Sequence, residues 1–237
     1  MTALKDRTVL VVGRGSGIAR AVTLGVREAG ATVVVAGRDE TALAAAYDDP
    51  GVTAATVDLT DEASVAALAE RLGRVDHVVS TASARARGAA ADLAHDVVLR
   101  SFDVKVLGPL LLAKHFAPRL PEDGSFVFFS GSSARKPAAG MLAVGATNAA
   151  VDALTRGLAV ELAPIRVNAV SPGTIDTGAY DALGDRKKAE LFAARAATSP
   201  ARRVGRPEEI AEAVVFALGS TFLTGVSLGV DGGESLV

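Results

Sequence analysis

The sequence contains no cysteine, and that absence excludes disulfides, thiol catalysis and cysteine-ligated metal. Tyrosine is almost as scarce, with Tyr47 and Tyr180 the whole supply. The three histidines, His77, His95 and His115, are scattered, and none reads as a ligand or a base. The acidic residues form no metal-type cluster, so no metal is expected. No uncharged apolar run is long enough to span a bilayer. The opening residues, MTALKDRTVLVVG, enter an apolar strand within a few positions. They leave no room for a charged region followed by an apolar one, so no signal peptide is read and a soluble cytoplasmic protein is expected. Charge is nearly balanced, 25 basic against 27 acidic side chains, so neither nucleic acid nor an anionic membrane is expected as a partner.

Apolar residues, by contrast, are plentiful: 49% of 237 positions, enough for a sizeable buried core. They fall in runs. TVLVV (8–12), TVVVA (32–36), VTAATV (52–57), HVVST (77–81), SFVFFS (125–130), RVNAV (166–170) and VSLGV (226–230) read as strands. Most are apolar throughout, as strands covered on both faces must be. Helical patterns lie between them, at Ile18–Ala29, Glu40–Tyr47, Glu62–Leu72, Asp92–Leu120, Ala143–Leu162 and Glu208–Leu218. Such alternation implies right-handed crossovers and an α/β fold, a doubly wound parallel sheet of about seven strands with helices on both faces. No linker or repeat divides the chain, so residues 1–237 read as a single domain. The stretch from Pro172 to Pro207 lacks a clear strand and carries a charged helical piece, GDRKKAELFAARAA, as a substrate loop or lid would.

VVGRGSGIAR joins the first strand to the first helix. Gly13, Gly15 and Gly17 allow a tight turn and close approach of a ligand. The helix behind them offers free N–H groups and a positive dipole end to a phosphate. Ile18 stands where the last glycine of the common dinucleotide fingerprint would be. Position after the first strand of a doubly wound sheet points to a nucleotide all the same.

That glycine spacing resembles the short-chain dehydrogenase/reductase family, whose domain is of the Rossmann type. VDLTD (57–61), VDHVVSTAS (75–83), IRVNAVSPGTIDT (165–177), GRPEEIAEAVVFAL (205–218) and TGVSLGVDGG (224–233) agree with it in order and spacing. Ala19 replaces a glycine usual in the family. The resemblance implies that Gly13, Arg14, Ser16, Gly17 and Ile18 hold the cofactor's phosphates. It implies that Asp58 and Leu59 meet the adenine, and that Pro172, Gly173, Ile175 and Thr177 hold the carboxamide and pyrophosphate. Thr81 and Ala82 take the place of the family's Asn-Ala pair. An NAD site wants a carboxylate at the end of strand two. Here Gly37 and Arg38 stand there, and a guanidinium suits a 2′-phosphate. NADP(H) is therefore expected as the preferred cofactor, with NAD(H) as the second. The alternative is a solvated Arg38 partnered by Asp39.

The family works with a serine, a tyrosine and a lysine, plus an asparagine one helix away. Ser132 takes the serine position, with Ser133 beside it. Matching ATNAAVDALTR to the family's helix puts Val144 at the tyrosine position and Asn148 at the lysine position. Lys105 takes the asparagine position. Misalignment fails on supply, since neither tyrosine precedes a lysine by four in this helix. Val98, Phe102, Pro109 and Leu112 share a helical stripe with Lys105, so its ammonium needs a partner or a cavity. Lys105 and Asn148 then look like an exchange of an ammonium between neighbouring helices, and Asn148 is expected against the cofactor's ribose. Tyr180 is the remaining candidate proton donor. Two functions follow: an NADP(H)-dependent oxidoreductase acting on a small carbonyl or alcohol with an altered site, or a catalytically silent NADP(H)-binding scaffold or sensor. Arg85, Arg87 and Arg135, with Lys105, place positive charge near the expected mouth and suggest an anionic small-molecule substrate. The long helix, apolar on several sides, predicts a homotetramer or homodimer.

Overall fold

The computed structural model describes residues 4–237. Seven strands form one sheet: β1 (Thr8–Val12), β2 (Thr32–Gly37), β3 (Val52–Thr56), β4 (His77–Ser80), β5 (Ser125–Phe129), β6 (Arg166–Pro172) and β7 (Ser227–Val230). Every pairing is parallel, in the order β3-β2-β1-β4-β5-β6-β7. The order reverses beside β1. The crevice beyond the strand ends at such a switch is where ligands of doubly wound sheets sit.

The central strands are largely apolar and buried because the sheet is covered on both faces. On one face α1 (Gly17–Glu28) and α8 (Pro207–Gly219) bury Val22, Val26, Ile210 and Val214 against Val9, Val11, Val33 and Val35. On the other, α3 (Glu62–Leu72), α5 (Gly108–Phe116) and α6 (Leu142–Glu161) bury Val65, Leu68, Leu112, Phe116, Val151 and Leu158 against Leu10, Val78, Phe126 and Phe128. The remaining helices are α2 (Glu40–Ala45), α4 (His95–Phe102) and α7 (Asp185–Thr198). No helix among the described residues is long and apolar enough to cross a membrane.

Each expected strand and helix appears, but the long Asp92–Leu120 helix is broken. It becomes a short turn at Ala90–Asp92, then α4, then a π-helical turn at Asp103–Leu107, then α5 and a closing 3₁₀ turn at Ala117–Arg119. Pro109 is the cause. It has no N–H to give the carbonyl of Lys105 four residues back, and its ring would press on that carbonyl. The backbone widens there, and the N–H of Gly108 bonds instead to the carbonyl of Asp103, five residues back. Gly108 is itself required, because a Cβ would lie 2.9 Å from that of Leu59. The widened turn carries Lys105 inward.

The 172–207 segment holds a 3₁₀ turn at Asp181–Leu183 followed by α7, a helix with no buried residue. Lys188 ties it down, 2.9 Å from Asp176 and 2.7 Å from Asp181. Tyr180 meets Phe192 edge to face, 5.5 Å between ring centres.

Candidate active site

The glycine loop is tight for reasons visible atom by atom. The Thr81 hydroxyl donates to the carbonyl of Val12 at 3.1 Å, and the Thr81 N–H donates to the same carbonyl at 2.9 Å. A Cβ at Gly13 would lie 2.2 Å from that hydroxyl and 2.9 Å from the Ala19 methyl. Thr81 thus joins β4 to β1, and Gly13 leaves the room that Ala19 uses. Gly15 is equally confined, 2.6 Å from the Ala46 methyl. Gly17 has φ +57° and packs on Thr177, so the glycine loop touches the loop after β6. Ser16 precedes α1, yet its side chain makes no capping bond, and the first turn of α1 has no acidic residue. The first N–H groups of that helix are left for an anion.

At the far end of the crevice, Arg38 is exposed. No carboxylate lies within 4.0 Å of its guanidinium among the described residues. Asp39 is otherwise engaged, accepting from the Ala42 N–H at 2.9 Å as the cap of α2. The Arg38–Asp39 pairing is therefore not what the fold adopts. Asp58 accepts from the N–H and hydroxyl of Thr60 at 2.9 and 2.8 Å, which holds its carboxyl below the usual range, with Arg38 adding to the effect. Leu59 is buried against Gly108, so its backbone is what it can offer an adenine.

Beyond β6, Gly173 lets the C-terminal segment lie close, since a Cβ would be 2.7 Å from a Glu234 oxygen. That carboxylate accepts from the Thr174 N–H at 2.7 Å. Ile175 turns its side chain into the core and bridges Gly205. The bridge uses the carbonyl of Thr174 and the N–H of Asp176, leaving the N–H and C=O of Ile175 itself without partners among the described residues. A free donor and acceptor side by side suit a carboxamide.

The centre of the site is organised by Ser130, at the end of β5. Its carbonyl accepts from the Lys105 ammonium at 3.3 Å, and its hydroxyl donates to the carbonyl of Asn148 at 3.0 Å. Asn148, 3% exposed, donates from Nδ2 to the Ser133 hydroxyl at 2.8 Å. The partner of Asn148 is thus Ser133; Ser132 stands one residue aside, half-buried, in the same turn. Asn148 fits only because residue 131 is glycine, where a Cβ would lie 2.7 Å from Nδ2. The Oδ1 of Asn148 is buried with no partner. An unsatisfied buried acceptor facing this turn is what a sugar hydroxyl would satisfy. Val144, one turn earlier, is buried and apolar. Together with the open glycine cradle and the free Ile175 amide, the orphan Oδ1 fits a dinucleotide.

Lys105 is 7% exposed. Burial pushes its ammonium down to about 7, the Arg85 charge adds to that, and Asp152 opposes it. Tyr180, Arg85 and Arg87 line a cavity of about 450 Å³ under the 172–207 segment. Arg135 does not join them. It lies 3.3 Å from the Ser171 hydroxyl and 3.7 Å from Asp231, held against β6 and the C-terminal segment by charges local to them. Lys105 is likewise too deep to be a mouth residue. The histidines lie elsewhere: His77 is buried against Ser125 at 2.9 Å and His115 sits 3.0 Å from Glu62. Two features escaped sequence reasoning. The Gly131 gap could be read only from packing. The free Ile175 amide depends on the Gly205 bridge, which has no local pattern.

A family model described as enoyl-(acyl carrier protein) reductase matches residues 12–235. A cis-4-hydroxycyclohexanecarboxylate dehydrogenase of Sinomonas cyclohexanicum is 36% identical over 250 residues, spanning 99% of this chain and 99% of that one. The structure of a reductase/Diels-Alderase, MalC, from Malbranchea aurantiaca superposes with a TM-score of 0.91 at 32% identity, covering 100% of this chain and 99% of the other. A small-chain dehydrogenase solved in complex with NADPH gives 0.84 at 31% identity, covering 98% of this chain and 100% of its own.

The buried lysine makes a testable link between pH and stability. Its folded value, about 7, lies below the ordinary 10.5, so between these limits the unfolded chain binds the extra proton. Stability should therefore rise with pH from about 7 toward 10 on account of this group. Lys105→Met removes it, so the variant should show its largest relative gain near pH 7, shrinking toward pH 10. Urea midpoints across that range test this; a difference independent of pH would mean that Lys105 keeps an ordinary ammonium.

Proposed function

The chain belongs to the short-chain dehydrogenase/reductase family, and on that premise we propose that it is an NADP(H)-dependent oxidoreductase acting on a small, anionic carbonyl or alcohol through an altered proton-delivery site. The observation that carries the reading is the orphan Oδ1 of Asn148, an acceptor buried where the family's lysine meets the cofactor's ribose. When bound, NADP(H) supplies or takes up the hydride. Everything else falls to the chain's own residues. The α1 N-terminus with Gly13, Arg14, Ser16, Gly17 and Ile18 holds the pyrophosphate, with Thr177 closing over Gly17. Arg38, free of carboxylate partners, takes the 2′-phosphate, and NAD(H), lacking that group, binds more weakly. Asp58 and the Leu59 backbone frame the adenine beside Thr81 and Ala82. The Ile175 amide, set by Pro172 and Gly173, orients the carboxamide.

Ser132 or Ser133 polarises the substrate oxygen. Lys105 Nζ holds the proton, and its near-neutral value lets it release or accept one at ordinary pH. Tyr180, on the lid formed by residues 172–207, is the second donor in reach of the cavity. Positioning supplies much of the rate in any such reaction, while a missing general acid costs about 10²–10⁴-fold. The burial of Val144 favours a second reading, a silent NADP(H)-binding scaffold or sensor. Single-turnover transfer from bound NADPH across a panel of ketones, aldehydes and enones separates them: slow oxidation of NADPH supports the enzyme, and none on any substrate supports the scaffold. The carboxylate in the name of the Sinomonas relative supports an anionic substrate. Assembly into a homodimer or homotetramer has support in Val97, Leu99, Leu107 and Leu110, exposed along α4 and α5 and in the turn between them, and in Phe216 and Phe222 near β7.

Three outcomes are expected. Arg38→Asp should weaken NADP binding about 10- to 100-fold and erase the preference over NAD, the worth of one or two charge-assisted bonds; calorimetry showing tighter NAD binding in the unmodified protein would overturn it. Light scattering at micromolar concentration should return a dimer or tetramer, and a monomer would count against assembly.

The third outcome concerns repair of the site. Val144→Tyr alone should do little, because an unassisted phenol has a pKa near ~10. Adding Asn148→Lys brings a cation that favours phenolate, but sets it near Lys105, and like charges disfavour both. The triple change Val144→Tyr, Asn148→Lys, Lys105→Asn should therefore exceed the double in NADPH oxidation and NADP reduction on the same substrates. A double variant equal to the triple would remove Lys105 from the site.

A further inference from the structure

We propose that the cavity between residues 84–88 and the lid is a built seat for the anionic end of the substrate, a carboxylate or phosphate clamped by Arg85 and Arg87. This rests on the oxidoreductase reading, and it names which substrates that reading admits: oxo or hydroxy compounds carrying one anionic group on a short apolar spacer. The loop is pinned at both ends. The Ser101 hydroxyl donates to the carbonyl of Ala84 at 2.6 Å, and the Gly88 N–H donates to the carbonyl of Gly140 at 3.0 Å. Ala86 between them is fully buried, so its neighbours Arg85 and Arg87 are turned the other way, to the cavity. Both pins lead to the reacting centre. Ser101 lies one turn before Lys105, and Gly140 enters α6 ahead of Val144 and Asn148.

Charge on this wall is uncompensated. Arg7, Arg27 and Arg203 each pair with a carboxylate, whereas among the described residues none lies within 4.0 Å of Arg85 or Arg87. Lys188 of the lid is already neutralised by Asp176 and Asp181. Arg85 and Arg87 are both exposed, and the charge of Arg87 acts on Arg85; a bound anion relieves that repulsion while gaining charge-assisted bonds. Tyr180, anchored on Phe192, adds a hydroxyl donor, and Leu183 and Leu191 supply apolar wall. A volume of about 450 Å³ suits a small molecule rather than a polymer.

Equilibrium binding tests this without requiring turnover. The NADP-loaded protein is titrated calorimetrically with hexanoate, phenyl phosphate and the neutral hexanamide. Hexanoate or phenyl phosphate should bind, and which one binds tells carboxylate from phosphate; hexanamide should bind at least tenfold more weakly. Arg85→Gln and Arg87→Gln should each weaken the anion about tenfold, the worth of one charge-assisted bond, with NADPH affinity unchanged. Equal binding of hexanamide, no binding of either anion, or variants that bind the anion like the parent would overturn the seat. Variants that lose NADPH affinity and keep the anion would assign the arginines to the cofactor's pyrophosphate instead. A protein that binds hexanoate but transfers hydride to nothing keeps the seat and loses the oxidoreductase reading. One that reduces neutral ketones and binds neither anion does the reverse.

Discussion

One short contact decides what the crevice can be. The carbonyl of Val12, last in β1, accepts twice from Thr81 at the end of β4. This is where the sheet reverses its order, so the two strand ends must come together for the crevice to exist. The Thr81 hydroxyl occupies the space a Cβ would need at residue 13. With glycine there, the chain turns at once into α1, and Gly15 and Gly17 carry it closely past Ala46 and Thr177. Any larger residue at 13 forces a choice between the strand junction and the loop. The glycine loop and the tie across the switch point are thus one structure, and a threonine maintains it.

The cluster around Ser130 follows the same logic of shared space. Pro109 denies Lys105 its helical partner, the helix widens, and the ammonium reaches the end of β5 from a helix other than the one that carries Asn148. Two ammonium groups there would raise each other's cost, so a lysine at 105 and an uncharged amide at 148 form a consistent pair. The amide in turn needs Gly131, because a side chain there would collide with it. Residues 105, 131 and 148 are therefore coupled, with Ser130 touching two of them, and changing one alone is expected to disturb the others. Val144, one turn before Asn148, is buried and apolar.

Legibility in the sequence tracked how local each signal was. The strands stood out because burial on both faces removes the polar residues that would blur a run. Most helix ends came within a residue or two of their places, and the structure puts a capping Asp61 and a first-turn Pro207 at two of them. The break in the long helix was written in the chain as Pro109, yet apolar periodicity runs straight across it and hides it. The scarcity of tyrosine is plain in the chain, and it is what suggests an altered tyrosine–lysine pair. Which of two adjacent serines meets Asn148 was not plain, for a turn can present either. Arg135 misled for a related reason. Sequence proximity to the catalytic loop suggested the mouth, but Asp231, nearly a hundred residues on, holds it elsewhere.

The distribution of charge ties these parts together. The chain as a whole is slightly negative, with a formal net charge of −2. Arg38 at one end of the crevice and Arg85 and Arg87 at the other nevertheless lack carboxylate partners among the described residues, while most acidic groups nearby are spent on caps and local pairs: Asp39 on α2, Asp58 on Thr60, Asp176 and Asp181 on Lys188. A cleft lined by one sign within low-dielectric walls focuses its field and raises the local concentration of opposite charge. Lys105 is buried, and its lowered value, about 7, comes first from that burial and then from the Arg85 charge. Binding an anion beside Arg85 would remove part of that push and raise the Lys105 value. On the proposed oxidoreductase reading, arrival of a charged substrate would thereby favour the protonated form, the state needed to donate to a carbonyl oxygen.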